Sequence, residues 1–246
     1  MHYQSRPDHN AQLRTTLEEL AQQHRRYGYR RMYRLLRRRG RVVNKKRVQR
    51  LWQQAKLQVK RVQRKRRRPS HPQPQQATHP YHVWTYDFVK GRCLDGRPLR
   101  ILTVMDEFTR EGLAIEVRSS FPARQVVVVL ARLFKQHQPP AYLRSDNGPE
   151  FVALAVRGWL YQQQVQTLYI DPGCPWQNGY EERFNGTVRD ECLNSHAFMS
   201  VTEAQVVCAA YLREYNEERP HSSLGYQTPL EYKRDWYARQ SNEGGF

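Results

Sequence analysis

Three acidic residues stand at positions where a carboxylate could do chemistry. Asp87 lies among aromatic residues in WTYDFV, which alternates as a β-strand does, and a charge there is costly unless it is paired or bound to a metal. Asp146 follows a short predicted strand, and Glu182 falls in the first turn of a predicted helix. Three carboxylates that meet at one sheet edge suit Mg²⁺, which prefers hard oxygen ligands. Two such ions, ~3.5–4 Å apart, promote phosphodiester cleavage by activating the attacking oxygen and stabilising the leaving one.

Both aspartates also have an ordinary interpretation. Asp87 could accept hydrogen bonds from a neighbour, and Asp146 could be a turn residue, which is the usual role of Asp before Asn-Gly. A strand end beside a helix start is nevertheless a common place for a functional carboxylate. Residue types alone leave both interpretations open. Asp106 and Glu107, near another strand end, are expected to be structural.

The helix that carries Glu182 is predicted by the stretch NGYEERFNGTVRDE, which begins at Asn178. With Asn178 as N-cap, Glu181 stands three positions into the helix, and this spacing predicts a capping box. Glu182 is turned by ~100° from Glu181 and cannot share that role. An exposed Glu182 paired with Arg183 or Arg189 is the ordinary alternative to a metal ligand. The predicted apolar side of the helix consists of Tyr180, Phe184 and Val188.

The elements that would position these residues are predicted from residue 82 onward. Five stretches have the pattern of strands: HVWTYDFVK, LRILTVMDE, GLAIEVRS, AYLRSDNG and VQTLYI. Two helices are predicted between them, in PARQVVVVLARLFKQH and PEFVALAVRGWLYQQQ. A three-strand meander followed by alternating helices and strands indicates an α/β or α+β layer fold with a mixed sheet. The stretch VTEAQVVCAAYLREYNEERP predicts a further helix, and the tail after it is expected to pack against the same domain.

The positive charge of the chain is confined to its N-terminal quarter. The formal net charge is +18, but residues 1–68 carry 23 Lys and Arg against 3 Asp and Glu, a local net charge of +20. Residues 69–246 carry 18 against 20, a net charge of −2. Such segregation is typical of a phosphate-binding module and favours nucleic acid as the partner. An anionic membrane surface is the weaker rival, because the basic part lacks a broad apolar face.

Three helices are predicted within residues 1–60, in AQLRTTLEELAQQH, YRRMYRLLRRRG and KKRVQRLWQQAKLQ. The second ends at Gly40 and the third begins after Asn44, so the pair is typical of a helix-turn-helix. A small basic bundle that never enters a groove is the alternative. The candidate nucleic-acid contacts here are Arg30, Arg31, Arg34, Asn44, Lys45, Lys46, Arg47 and Arg50. Further candidates, near Glu182, are Gln177, Arg183 and Arg189; Trp176 could touch DNA or pack within its loop.

Composition also sets the expected domain limits. Residues 61–80 are basic and then rich in proline, which predicts a linker that lies along DNA; a nuclear address is the other interpretation of the basic run. Residues 81–192 are the expected catalytic core, and residues 193–246 its helical extension. Four scattered cysteines without a CxxC pair argue against a zinc knuckle and a disulfide framework. No apolar run approaches the ~20 residues of a membrane span, so we expect an intracellular protein without a membrane partner.

Several long strings in the sequence resemble those of one family. They are YGYRRMYRLLRRRGRVVNKKRVQRL, WTYDFV, VMDEFTRE, RSDNGPEF, PGCPWQNGYEERFNGTVRDECLN and YNEERPHSSLGYQTPLEY. The chain resembles the DDE transposases of bacterial insertion sequences, specifically the integrase-core product of the second reading frame. Asp146 and Glu182 are separated by 35 residues, the spacing that such integrase-like enzymes show. Arg183 is a departure, because the family commonly has Ser or Thr after this glutamate.

The resemblance implies a ribonuclease H-like integrase core with a five-stranded mixed sheet and flanking helices, preceded by the small helical domain. It implies that Asp87, Asp146 and Glu182 are the catalytic residues and hold two Mg²⁺ or Mn²⁺ ions. The implied reaction is cleavage at the element's ends by water, followed by attack of the freed 3′-hydroxyl on another strand. The implied partners are terminal-repeat and target DNA, a first-reading-frame product and further copies of the chain. Such a protein is expected in the bacterial cytoplasm, associated with the nucleoid.

Two other functions remain open from the sequence. A non-catalytic DNA-binding regulator of transposition would use residues 1–68 alone. A ribonuclease H-like nuclease would cleave DNA without joining it.

Overall fold

A computed structural model describes residues 10–59, 75–171 and 174–243, which belong to two compact units. The division falls between Arg66 and Arg67, in the interval between the first two described ranges. The limits given above for the domains and the linker therefore stay predictions.

The N-terminal unit contains three helices, α1 (Ala11–Gln23), α2 (Tyr29–Arg38) and α3 (Lys45–Gln54). Each turns a narrow apolar stripe inward, because its apolar residues recur at three- and four-residue intervals. The buried stripes consist of Leu13, Leu17 and Leu20 on α1, Met32, Leu35 and Leu36 on α2, and Val48, Leu51 and Trp52 on α3. Many of the arginines and lysines of the unit are exposed on the rest of its surface.

The connection between α2 and α3 follows the predicted capping pattern. Gly40 has φ +77°, a left-handed conformation that glycine adopts without steric cost, and it ends α2. Asn44 caps α3, since its side chain accepts a hydrogen bond of 2.8 Å from the backbone N–H of Lys46. Arg47 donates to the side chain of Asn10 at 2.8 Å, which joins α3 to the start of α1. The predicted pair of helices with a tight connection is therefore present.

The second unit is built on the mixed five-stranded sheet that the resemblance implied. Its strands are β1 (Val83–Arg92), β2 (Pro98–Asp106), β3 (Gly112–Arg118), β4 (Tyr142–Ser145) and β5 (Gln166–Tyr169). Their order across the sheet is β3-β2-β1-β4-β5. The first three strands pair antiparallel, whereas β4 runs parallel to β1 and β5 runs parallel to β4. This arrangement places the carboxyl ends of β1, β4 and β5 at the same edge.

Helices cover both faces of the sheet. They are α4 (Ala123–Gln136), α5 (Pro149–Val152), α6 (Leu154–Gln162), α7 (Gly179–Glu191), α8 (Val201–Glu217) and α9 (Pro229–Glu243). One core lies between the sheet and α4, α5 and α6, and includes Trp84, Tyr86, Leu130 and Phe151. The other lies between the sheet and α7 and α8, and includes Ile101, Phe184 and Cys208. Alternate residues of β1 and β2 thus enter different cores, as the period of a strand requires.

One stretch that was predicted as a single helix forms two helices in the structure. PEFVALAVRGWLYQQQ forms two helices, because Ala153 between them has an extended backbone with ψ 136°. The break lets Phe151 stack on Phe88 at a ring-centroid distance of 5.1 Å, while Val156 and Leu160 of α6 stay buried in the same core. Without the break, one straight helix would have to bury both sets of side chains.

The described part of the chain bears on two of the exclusions drawn from composition. Cys93, Cys174, Cys192 and Cys208 are free thiols, and all but Cys174 are buried. Within the same residues, every helix is too short or too polar to cross a bilayer.

Candidate active site

Asp87 lies in the middle of β1, on the face of the sheet that α7 and α8 cover. Its Oδ1 accepts a hydrogen bond of 2.7 Å from the backbone N–H of Phe88, and its Oδ2 accepts one of 2.9 Å from the side-chain amide of Asn185 on α7. Burial raises the pKa of Asp87 to about 6, and the negative charge of Asp146 acts in the same direction. The two hydrogen bonds lower that pKa but do not outweigh burial.

Asp146 follows β4 directly and lies beside Asp87. The parallel ladder pairs residues 83–85 of β1 with residues 142–144 of β4, and the charge of Asp146 beyond that ladder raises the pKa of Asp87, so the two carboxylates are near each other. The Oδ1 of Asp146 accepts a hydrogen bond of 2.9 Å from the backbone N–H of Gly148, which is the turn geometry predicted for Asp before Asn-Gly. A Cβ at position 148 would lie only 2.9 Å from that Oδ1, so a larger residue there would displace the carboxylate of Asp146.

Glu182 does not join the two aspartates. It lies in the first turn of α7, as predicted, and its side chain is exposed. No three His, Cys, Asp or Glu side chains are grouped closely enough to hold a metal ion in the part of the chain that the structure describes. The structure thus brings Asp87 and Asp146 together, and the assignment of Glu182 as the third ligand stays a prediction.

The predicted capping box at the start of α7 is wrong. The side chain of Asn178 accepts a hydrogen bond of 2.9 Å from the Thr85 hydroxyl and makes no capping bond. Glu181 is fully buried with Phe184 and Val188, and this buried stripe has the helical spacing i, i+3, i+7. Tyr180, which was predicted on the apolar side, is instead 36% exposed. An acid at a position where the helical period expects an apolar residue is the feature of the sequence that could have revealed this.

Glu181 belongs to a buried network under Asp87. The Thr103 hydroxyl lies 2.7 Å from Glu181 Oε1, 2.7 Å from Asn185 Oδ1 and 3.0 Å from the carbonyl oxygen of Asp87. Because a hydroxyl carries one hydrogen, it can donate to only one of these three oxygens, and a protonated Glu181 supplies a second hydrogen. Burial raises the pKa of Glu181 well above its usual range, and the charges of Asp87 and Glu107 add to this. Both observations favour the protonated, uncharged form of Glu181.

Asp106 and Glu107 have structural roles, as expected. Asp106 is fully buried, and its carboxylate accepts hydrogen bonds from the hydroxyl and backbone N–H of Thr109 and from the backbone N–H of Tyr81. Burial raises the pKa of Asp106 to about 6 in spite of these bonds. Glu107 forms a buried ion pair of 2.7 Å with Arg144, two residues before Asp146.

The candidate DNA contacts of the N-terminal unit differ in exposure. Those with exposed side chains are Arg30, Arg34, Asn44, Lys45, Lys46 and Arg50. Arg31 and Arg47 are partly buried: the first lies 5.3 Å from the centre of the Tyr27 ring, and the second bonds to Asn10. The exposed set therefore presents a basic surface on α2 and on the start of α3.

The candidate contacts near α7 fall into two groups. Arg183 and Arg189 are exposed. Gln177 is only 7% exposed, and its amide makes two hydrogen bonds of 2.8 Å to Asp171, one to the backbone N–H and one to the carboxylate. A DNA contact by Gln177 would therefore require this pair to open. The side chain of Trp176 lies outside the described residues.

The chain matches three families of known domains. Residues 77–175 and residues 163–229 match integrase core domains, and residues 8–67 match an HTH-like domain. Among solved structures, the HTLV-2 integrase catalytic core domain in complex with magnesium has a TM-score of 0.53 at 14% identity. That similarity covers 64% of this chain and 99% of that one. The catalytic core domain of BIV integrase has a TM-score of 0.50 at 18% identity, over 65% and 99% of the two chains. The fold is an integrase catalytic core, preceded by a helical HTH-like domain.

Sequence relatives identify the family within that fold. A 31.7 kDa protein of insertion element IS407 from Burkholderia multivorans is 42% identical over 94% of this chain and 84% of its own length. A 39.2 kDa protein of insertion element IS476 from Xanthomonas euvesicatoria is 40% identical over 94% and 67%. A putative transposase of insertion sequence IS150 from Escherichia coli K12 is 28% identical over 95% and 87%. The chain belongs to the integrase-core DDE transposases of bacterial insertion sequences.

Membership in this family supports a function in DNA transposition and integration and suggests a polynucleotidyl transferase. The integrase core family is generally dependent on divalent metals. The HTH-like and integrase domains together suggest DNA binding and oligomeric assembly on DNA.

Proposed function

We propose that this chain is a transposase that cleaves DNA at the ends of an insertion sequence and transfers the freed 3′-hydroxyl to another strand. The reaction depends on Mg²⁺ or Mn²⁺, and Asp87, Asp146 and Glu182 are the ligands of two ions. The observation that carries this proposal is the closeness of two carboxylates on neighbouring parallel strands, Asp87 within β1 and Asp146 directly after β4, whose charge acts on Asp87. Two adjacent carboxylates repel each other unless a cation lies between them.

The donor set fits divalent cations by its chemistry. Asp87 and Asp146 offer carboxylate oxygens, which Mg²⁺ and Mn²⁺ prefer. Burial raises the pKa of Asp87, and the charge of Asp146 adds to this effect. When bound, two such ions activate the attacking oxygen and stabilise the leaving oxygen. Glu182 lies in the first turn of α7 and reaches the pair by turning its exposed side chain toward Asp87.

The residues around the carboxylates keep them in position. Asn185 holds one oxygen of Asp87, and the backbone N–H of Gly148 holds one oxygen of Asp146. The Thr103 hydroxyl on β2 lies within hydrogen-bonding distance of the carbonyl oxygen of Asp87 and of the side chains of Asn185 and Glu181 on α7. Because these partners fix the two aspartates before any ligand arrives, little ordering is left to occur during the reaction.

The substrate is DNA that carries the terminal repeats of the element, together with target DNA. The basic surface of the N-terminal unit supplies phosphate contacts, and the exposed Arg183 and Arg189 supply further ones beside α7. Pairing two DNA ends requires at least two copies of the chain, and a first-reading-frame product is a further partner. The site of action is the nucleoid in the bacterial cytoplasm.

Three ligand variants and one neighbouring variant test the assignment. Asp87→Asn, Asp146→Asn and Glu182→Gln should each reduce Mg²⁺-dependent nicking of terminal-repeat DNA by about a thousandfold or more, because each removes an oxygen ligand of the ions. DNA affinity should change by less than about threefold, since the contacts to phosphate remain. Glu181→Gln is the matched neighbour, with the same change one residue earlier, and should retain nicking.

The same assay separates the competing functions. Normal nicking by all three ligand variants contradicts the assignment. If Glu181→Gln loses nicking activity while Glu182→Gln keeps it, the third metal ligand is Glu181 and not Glu182. A pre-cut 3′ end offered together with target DNA separates a transposase, which joins them, from a nuclease, which does not. If the chain is a non-catalytic regulator, neither the unmodified chain nor any of the variants will nick the DNA.

A further inference from the structure

The turn between β2 and β3, residues 107–111, contacts every element that carries a candidate ligand. The backbone N–H of Glu107 donates to a carbonyl oxygen of β1 at 2.9 Å, and its side chain pairs with Arg144 of β4. Arg110 lies over the ring of Tyr180 in the first turn of α7. One five-residue segment therefore adjoins the elements of Asp87, Asp146 and Glu182.

The contact between Arg110 and Tyr180 is close. The guanidinium carbon lies 3.5 Å from the centre of the ring, well within the ~6 Å limit of a cation–π interaction. Arg110 is partly buried, and its Nη1 has no hydrogen-bond partner among the described residues. The ring face is therefore a principal partner of this charge, together with the nearby carboxylate of Glu107.

The backbone that presents Arg110 is strained and firmly held. Arg110 has φ +63°, a left-handed conformation that costs a residue with a Cβ of the order of 1 kcal/mol or more. The buried carboxylate of Asp106 fixes the turn through Thr109, and the backbone N–H of Arg110 donates to the carbonyl oxygen of Asp106 at 3.0 Å. Strain of this kind persists only where the surroundings impose it, and here it directs the arginine toward α7.

The C-terminal helix α9 supports the turn from another side. Lys233 donates to both carboxylate oxygens of Glu111, at 2.8 and 2.6 Å, and to the hydroxyl of Tyr81 at 2.9 Å. Phe108 packs edge-on against Trp236 with ring centroids 6.0 Å apart. The turn is thus fixed independently of α7, which gives Arg110 a rigid base.

We propose that Arg110 is a positioning residue that holds the first turn of α7, and with it Glu182, through its stack on Tyr180. The role for Glu182 rests on the proposed function, whereas the restraint on α7 does not. Tyr180 stands two residues before Glu182, so any displacement of this turn moves both side chains. Arg110 contacts neither of the two aspartates, and it acts only through the helix.

Hydrogen exchange tests the restraint without any activity. The backbone amides of residues 183–186 bond to carbonyls of the first turn, so they exchange when this turn opens. Arg110→Ala and Tyr180→Ala should each speed their exchange about tenfold, with no change in the amides of α8, because loss of one partly buried cation–π contact corresponds to a factor of this size. Arg110→Lys should recover only part of the protection, since lysine lacks the planar group that stacks. Tyr180→Phe should keep it, because the ring remains.

Arg132→Ala is the matched control, since it removes an arginine that pairs with Glu116 on the surface. Unchanged exchange of residues 183–186 in Arg110→Ala overturns the proposal, and so does equal acceleration across α7 and α8, which indicates general destabilisation. The double variant Arg110→Ala with Tyr180→Ala should exchange no faster than either single variant, because the two act on one contact.

Metal dependence of nicking supplies the second readout. Arg110→Ala should need about tenfold more Mg²⁺ for half-maximal nicking and should bind terminal-repeat DNA with unchanged affinity, because Glu182 is then less well placed. An unchanged Mg²⁺ requirement alongside faster local exchange contradicts the link to Glu182. Absence of metal-dependent nicking in the unmodified chain instead refutes the proposed function, and the exchange experiment still decides the role of Arg110 in holding α7.

Discussion

Glu181 is the acidic residue that differs most from its expected role. It is fully buried under Asp87, its Oε1 bonds to the Thr103 hydroxyl, and its Oε2 has no hydrogen-bond partner among the described residues. A charged carboxylate in such surroundings is costly, and this cost appears as the raised pKa of Glu181. The residue therefore stabilises the fold only while it is protonated.

This property predicts a pH-dependent gain in stability for Glu181→Gln. Since the pKa of Glu181 is higher in the folded chain than in the unfolded one, its contribution to stability is present at low pH and is lost as the pH rises through the folded value. Glutamine does not titrate, so the free energy of unfolding of the variant should rise relative to the native chain between pH 5 and pH 8. Urea unfolding in buffer free of divalent ions measures this, with Glu182→Gln as the exposed control. A difference that stays constant with pH would contradict the protonated state.

At the scale of elements, α7 is fixed at both ends by buried polar contacts. Its last residue, Glu191, accepts two hydrogen bonds from Arg219, at 2.6 and 2.7 Å, and a third from the hydroxyl of Tyr211 at 3.2 Å. The charge of Glu191 raises the pKa of Arg219 in spite of its burial. The YNEERPH string, noted above for its family resemblance, thus has a structural role at this pair.

Arg219→Ala should therefore destabilise the chain by about 3–5 kcal/mol, because it removes the cation that neutralises the largely buried carboxylate of Glu191. The measurement is the free energy of unfolding in urea at pH 7. Arg97→Ala serves as the control, since Arg97 pairs with Asp95 on the surface and should matter far less. An equal decrease in the free energy of unfolding for the two variants would show that the buried ion pair contributes no more to stability than the exposed one.

The sequence predicted helices and strands correctly where the spacing of apolar residues matched a single type of secondary structure. The alternation of β1 and the apolar spacing of α1 to α4 gave elements at the observed places. The break at Ala153 was missed because no glycine or proline marks it, and it results from packing against the sheet. The burial of Phe184 and Val188 on α7 was predicted correctly, and the exposure of Glu182 agrees with the ordinary alternative that the helical pattern offered. The burial of Glu181 was missed because this residue was assigned to a cap by its charge.

At the scale of the whole molecule, the excess positive charge and the candidate active site belong to different units. The local net charge of +20 lies in residues 1–68, whereas both aspartates of the site lie in the second unit, whose surrounding sequence is nearly neutral. Binding to phosphate releases counterions, so the basic unit should carry most of the salt dependence of DNA binding. The second unit should contribute chemistry and a few local contacts.

Deletion of residues 1–66 should therefore weaken binding to DNA and flatten its dependence on salt. Between 50 and 200 mM salt we expect the affinity of the full chain to fall by roughly a hundredfold or more, and that of the shortened chain to fall much less. Fluorescence anisotropy with terminal-repeat and unrelated duplexes measures both slopes. Parallel slopes for the two chains would place the phosphate contacts outside the N-terminal unit.

The turn at residues 107–111 has a consequence for engineering this chain. Hairpin connections are ordinarily where a protein accepts extra residues, so they are the first choice for epitope tags or fused domains. Here the connection contacts strands β1 and β4 and helices α7 and α9, and the buried side chain of Asp106 holds it from below. A library of random insertions should show a gap at this hairpin and tolerate additions near Gly96, whose own hairpin carries an exposed tip.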